Sequence, residues 1–114
     1  KADGVLNPDA PFEHEVQWIF WELWHHEGRR ARHGASMMGP DYTHWHGMYE
    51  VSKHYYTEFL PAIVEAAESK SHELGEKYRN IIDEMMTKPE HAWQKGLSPE
   101  EAERLRKAYL ERYN

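Results

Sequence analysis

Residues Trp18 to Glu50 read WIFWELWHHEGRRARHGASMMGPDYTHWHGMYE. This stretch holds four of the five Trp, five of the nine His and three Arg, with Tyr42 in a short polar loop. An ordinary helical core uses Leu, Ile, Val and Ala and keeps Trp and His sparse. So many rings and imidazoles point to a face that packs against something flat and ligates something cationic. The same stretch carries the fold. From Phe12 the apolar positions Phe12, Val16, Ile19, Phe20 and Leu23 fall at helical spacing, and Trp18, Trp21 and Trp24 add a second face. A helix apolar nearly all round must be buried on most sides. A chain of 114 residues can hardly cover it, so a partner is implied.

Working outward, residues 1–11 contain Gly4, Pro8 and Pro11 with little apolar content and read as an extended lead-in. Asp9 is the expected cap of the first helix, with Pro11 in its first turn. The helix is predicted to run through Gly28 to about His33 or Met38, placing Arg29, Arg30 and Arg32 towards the C-terminal end of its dipole. Gly39-Pro40-Asp41 breaks it, and Asp41 or Thr43 starts a second helix through Met48, Val51, Tyr55 and Phe59. Pro61 either kinks or splits that helix, and residues 63–67 continue the pattern. From Ser71 the positions Leu74, Tyr78, Ile81, Ile82 and Met85 make one stripe of an amphipathic helix that ends before Pro89. A turn around His91 and Trp93 leads to a last helix, with Ser98 as cap, Pro99 at its first position and Glu101 closing a capping box. The prediction is all-α: a long-helix bundle of four to five helices, in one helical domain over residues 12–114.

Composition narrows the function. Fourteen Lys and Arg against 20 Asp and Glu give a net charge of −6, which argues against nucleic acid as a partner. The longest apolar stretch, Val16 to Trp24, is broken by Gln17 and Glu22, so no membrane span is expected. Cys is absent, which removes disulfides, thiolate metal sites and a CxxCH heme attachment from these residues. Lys rather than Met at position 1 suggests a processed chain or part of a longer polypeptide.

The groups able to do chemistry are mostly imidazoles. His25 and His26 are adjacent and so point about a third of a turn apart on a helix. His26 and His33 share a face but are two turns apart, too far for one mononuclear metal. No HExxH zinc pattern is present. His44 and His46 flank Trp45 and could chelate a metal if extended, but at the start of a helix the two side chains diverge. Trp rings such as Trp45 bury porphyrin edges. Arg29 and Arg30 suit carboxylates such as heme propionates, which the planar guanidinium fork binds in bidentate fashion. The plain alternatives stand beside each: histidines that cap helices or bond backbone, arginines paired with Glu22 and Glu27, Met37 and Met38 as packing, and Tyr42 as a buried phenol bonded to Asp41 or a carbonyl.

The run WHHEGRRARHGASMMGPDYTHWHGMYE resembles the C-terminal, Cys-free helical region of the octaheme hydroxylamine oxidoreductase and hydrazine dehydrogenase family, densely from about Trp18 to Tyr56. In that family the heme-attachment motifs all precede this region. The resemblance implies that Tyr42, in GPDYTHWHG, corresponds to the tyrosine that links covalently to the catalytic heme of a neighbouring subunit in a trimer. Reductive members lack that tyrosine, so its presence implies the oxidative direction. A weaker resemblance to the final helices of pentaheme nitrite reductases places a distal heme ligand just before an HxxxE step. His46 with Glu50 fits it, with His44 as runner-up. His25, His26 and His33 are left as a further axial ligand or a proton relay.

The resemblance thus implies a helical, heme-free part of a multiheme c-type oxidoreductase in a periplasmic or equivalent compartment of a bacterium. Its heme c groups, including a modified catalytic heme, would be held by a heme-bearing cytochrome chain or region. Its substrate would be hydroxylamine or hydrazine, and its electrons would pass to a cytochrome. A non-catalytic assembly or electron-transfer scaffold of a multiheme cytochrome complex is the alternative. A free-standing metal- or heme-binding helical protein is a third reading, which the apolar-all-round first helix argues against.

Overall fold

The computed structural model describes residues 2–113, except the side chains of residues 93–95; Lys1 lies outside them. All regular structure among the described residues is helical, with no strand. A first rod, residues 15–36, comprises α1 (Glu15–Glu22), a π-type segment Leu23–Glu27 and α2 (Gly28–Ser36). A second rod, residues 41–68, comprises a π-type segment Asp41–Tyr49, α3 (Glu50–His54), a π-type segment Tyr55–Phe59 and α4 (Leu60–Glu68). Then follow α5 (His72–Met86), a 3₁₀ segment Pro89–Lys95 and α6 (Pro99–Tyr113). The chain divides into two compact units, residues 1–80 and residues 81–114.

The first rod starts later than Asp9 and Pro11 suggest. His14 is its N-cap: Nδ1 accepts from the Val16 N–H at 3.2 Å, while Gln17 Oε1 accepts from the His14 N–H at 3.0 Å. The Asn7 side chain instead bonds the Asp9 N–H in a local turn, which holds that segment out of the helix. Residues 2–14 therefore form a strap. Asp3 ties its far end down through Lys77 Nζ at 2.9 Å and the Tyr78 hydroxyl at 3.1 Å.

These donors hold the Asp3 carboxyl below the usual carboxylate value, Lys77 first and Tyr78 next, while Asp3 raises Lys77. A depressed acid stabilises fully above its unfolded pKa, and that contribution is lost as pH falls through the folded value. A raised Lys stabilises below its unfolded pKa and loses the contribution as pH rises through the folded one. The strap is thus expected to hold through neutral pH and release at both extremes. The Trp18 indole N–H, which donates to the Phe12 carbonyl at 3.0 Å, reports it by NMR. Asp3→Asn should abolish the acid step, and an unchanged acid step in that variant would refute the tether.

The two rods form an antiparallel hairpin. The first ends in a Schellman-type cap: the Gly39 N–H bonds the Gly34 carbonyl at 2.8 Å and the Met38 N–H bonds the Ala35 carbonyl at 3.4 Å. Met38 takes the left-handed position itself, at φ 57°. Pro40, rather than Asp41 or Thr43, occupies the N-cap position of the second rod, and Thr43 Oγ1 donates back to the Gly39 carbonyl at 3.2 Å. Met37 and Met38 are not packed as expected. At the hairpin tip they are 79% and 89% exposed.

Near this tip the rods nearly touch backbone to backbone. A Cβ on Gly34 would lie 2.5 Å from the Thr43 nitrogen, and one on Gly47 would lie 2.5 Å from Ala31 Cα. Further along, Arg30 donates to Glu50 at 3.2 Å and His54 donates to Glu27 at 3.0 Å. The far end is apolar, with Val16 and Leu23 of the first rod and Leu60, Ala66 and Ala67 of the second buried, and Phe20 against Phe59 at 5.7 Å.

Pro61 does not split the second rod. It sits in the first turn of α4, behind the π-type segment in which the Leu60 N–H reaches the Tyr55 carbonyl. The wider turn accommodates a proline inside a continuous helix, where an α-helical turn would clash. The capping box expected at Ser98 and Glu101 is present. The Glu101 N–H bonds Ser98 Oγ and the Ser98 N–H bonds Glu101 Oε2, each at 3.2 Å.

Candidate functional site

The aromatic and imidazole residues of the hairpin lie where its helices widen. Leu23–Glu27 carries Trp24, His25 and His26, and Asp41–Tyr49 carries Tyr42, His44, Trp45 and His46. π-Type turns inside α-helices are uncommon and concentrate at functional sites. Here they leave most of these rings facing outward. Trp18, Trp24 and Trp45 are each half exposed or slightly more, and Tyr42 is 56% exposed. That disposes of a buried phenol at Tyr42. Its hydroxyl makes no hydrogen bond among the described residues; its ring lies 5.4 Å from that of His46.

His46 is the most elaborately held imidazole. Its Nδ1 lies 3.3 Å from Glu50 Oε1 and its Nε2 lies 3.4 Å from Asp41 Oδ2. Glu50 also accepts from Arg30, so an arginine, a carboxylate and an imidazole run in series from the first rod to the second. A carboxylate on one ring nitrogen fixes ring orientation and raises basicity at the other, the usual support for a metal-bound imidazole. Asp41, on the other nitrogen, is mostly solvent-exposed and free to give way. His44 and Trp45 are exposed, with Trp45 stacked on Tyr49 at 4.6 Å and 12°.

The first rod carries a second cluster. His25 stacks on Trp21 at 4.3 Å and 15°, with the edge of Trp24 against it. Arg29 donates to His25 Nε2 at 3.2 Å, so the ring is a neutral acceptor on that side. Desolvation first, then the charge of Arg29 and then His26, lower the His25 pKa in agreement. Its buried Nδ1 has no partner among the described residues. His26 is exposed and lies 4.8 Å from Trp21. His33, near the end of α2, is exposed, and no hydrogen bond or ring contact joins its side chain to the other candidates among the described residues.

The structure therefore brings Tyr42, His46 and Arg30 into one neighbourhood and His25, His26 and Arg29 into another. The arginine partners differ from Glu22 and Glu27: Arg30 takes Glu50 and Arg29 takes His25. Among the described residues no group of three or more His, Asp or Glu is arranged to hold a bare metal ion.

No protein-family model, curated protein or solved structure matches this chain.

The donor set fits a heme approached from outside. His46 has a carboxylate-supported imidazole, and His44, Trp45 and Tyr42 are exposed rings on the same segment. Arg29 and Arg30 could meet propionates only by exchanging their present partners.

One pair escaped the sequence reading. Glu27 is buried, 4% exposed, and its Oε1 accepts from His54 Nδ1 at 3.0 Å. His54 Nε2 faces Glu58 at 3.9 Å. The usable signal was register. Glu27 and His54 are symmetric about the Gly39-Pro40 turn in nearly the same way as Arg30 and Glu50.

Proposed function

We propose that this chain is the heme-free helical part of a multiheme c-type oxidoreductase that oxidises hydroxylamine or hydrazine. The observation that carries the reading is the segment Asp41–Tyr49. A π-type turn presents Tyr42 outward with an uncommitted hydroxyl, beside a His46 already oriented by Glu50. Resemblance over Trp18 to Tyr56 supplies the chemistry. By that resemblance Tyr42 would hold the catalytic heme of a neighbouring subunit through a covalent link, and His46, with His44 as the alternative, would ligate a heme iron. His25, His26 and His33 remain candidates for another ligand or a proton relay. Arg29 and Arg30 would take the propionates on releasing His25 and Glu50, and Trp45 would cover a porphyrin edge. A bound heme supplies the iron that accepts electrons from the nitrogen substrate. The residues of this chain would bind and orient it.

The half-exposed Trp18, Phe20 and Trp24 support a covering partner, which in this reading is the heme-bearing cytochrome chain within a trimer. Electrons leave to a separate cytochrome in an extracytoplasmic compartment. No helix among the described residues is long and apolar enough to cross a membrane.

The test is a denaturing gel of natively purified material, stained for heme and blotted for this chain. A chain without Cys keeps heme under denaturation only through an unusual bond such as one at Tyr42. Co-migration with a larger heme-positive species is expected, and Tyr42→Phe should release the chain, colourless, at its own mass. A colourless band from the unmodified protein overturns the link and favours the non-catalytic scaffold.

A further inference from the structure

Between the strap and the two rods lies a cavity of about 460 Å³. Val5 and Leu6 of the strap, Phe20 and Trp24 of the first rod, and Phe59 and Ile63 of the second are among its walls. Its size falls within the range of small-molecule sites. Among the described residues no Lys, Arg, Asp, Glu or His lines it. Of the four hydrogen-bonding side chains that reach it, Gln17 and Tyr78 are already committed, and Trp21 and Trp24 offer only an indole N–H each. Gln17 accepts from the His14 N–H and donates to the Ala10 carbonyl at 3.4 Å. The Tyr78 hydroxyl donates to Asp3. A charged ligand would lose its water there and find no counter-charge in exchange, which disfavours it strongly.

The strap is built as a movable cover. Gly4, at φ 69°, and Phe12, at φ 66°, bracket Val5 and Leu6. A left-handed backbone is routine for Gly, but for an aromatic residue it is an outlier that persists only where its surroundings impose it. Trp18 imposes it. Its indole N–H holds the Phe12 carbonyl, and its ring packs on Phe12 at 4.6 Å. At the other end the cover is tied down by Asp3.

We propose that this cavity binds an uncharged, ring-bearing apolar molecule, with residues 2–14 as its lid. The occupant follows from the walls: aromatic faces on both rods, aliphatic side chains on the lid, and no charged group among the described residues, with two indole N–H donors the only polar groups to spare. The site uses none of Tyr42, His44 or His46, but it shares Phe20 and Trp24 with the face that the heme reading gives to a partner.

Titration of the full chain with N-phenyl-1-naphthylamine, an uncharged fluorescent probe, tests it, with energy transfer from Trp as the readout. Saturable one-to-one binding is expected. Ile63→Trp, which fills the cavity, should weaken it at least tenfold while the helical circular dichroism is kept. If that variant loses its helical signal, Leu6→Trp on the lid should give the same weakening. Asp3→Asn should speed probe release several-fold by freeing the lid. The sulfonated analogue 8-anilino-1-naphthalenesulfonate should bind at least tenfold more weakly. Non-saturable binding, or binding that both cavity-filling variants leave unchanged, overturns the site. Equal affinity for the sulfonate overturns the assigned ligand chemistry, and an unchanged release rate in Asp3→Asn overturns the lid.

Discussion

Gly47→Ala is expected to lower the unfolding free energy by about 3 kcal/mol or more, towards the upper end of overpacking penalties. The added methyl would sit 2.5 Å from Ala31 Cα and 2.6 Å from its nitrogen. Both are backbone atoms of α2, so no rotamer change relieves the clash and the rods must separate. Separation pulls on everything further along the hairpin, including Arg30 with Glu50 and Glu27 with His54. For the same reason Ala31→Gly should rescue little, since it removes only a Cβ that is 2.7 Å away and leaves the two closer atoms. Gly39→Ala is the control: its Cβ would lie 3.8 Å from the nearest atom, and a change within about 0.5 kcal/mol is expected. Urea unfolding of the three variants decides the matter. A Gly47→Ala variant as stable as the Gly39→Ala control would show that the rods do not cross this closely.

That crossing also marks where the sequence stops being readable. The all-α class, the rod through Gly28, the break at Gly39-Pro40 and the Ser98 capping box were legible because each rests on a local signal: apolar period, breaker or cap. The seam between the rods was not, because it is built from Gly34, Thr43, Ala31 and Gly47 and from polar pairs. Such residues leave no apolar stripe. Nor was the start at His14 legible, since Asp9 is an equally good cap by type and loses only to a turn closed by Asn7. Of the candidate site, Tyr42 and His46 could be named from residue type and motif. Their outward presentation could not, because a π-type turn shifts every later residue around the helix and has no compositional mark. Glu27 was hidden for a related reason. Burial of a carboxylate is decided by a partner 27 residues away, and only the hairpin register reveals it.

The second large effect comes from that buried carboxylate. His54→Ala is expected to cost about 3 kcal/mol, at the low end of losses for breaking a buried pair. One Glu27 oxygen already has no protein partner among the described residues, and the other depends on His54. Removing the imidazole leaves a buried group whose desolvation nothing offsets. The loss therefore reflects the exposed weakness of Glu27 more than the worth of the contact itself. A double replacement separates the two. With Glu27→Met and His54→Leu together, neither a buried charge nor an empty site remains, and stability should return to within about 1 kcal/mol of the parent. Urea melts of the parent, both single variants and the double variant close the cycle. If His54→Ala alone costs under about 0.5 kcal/mol, water reaches Glu27 and the pair does not hold the rods together. If the double variant stays as weak as His54→Ala, the pair contributes a specific attraction that packing cannot replace, and the seam is polar because the hairpin needs it to be.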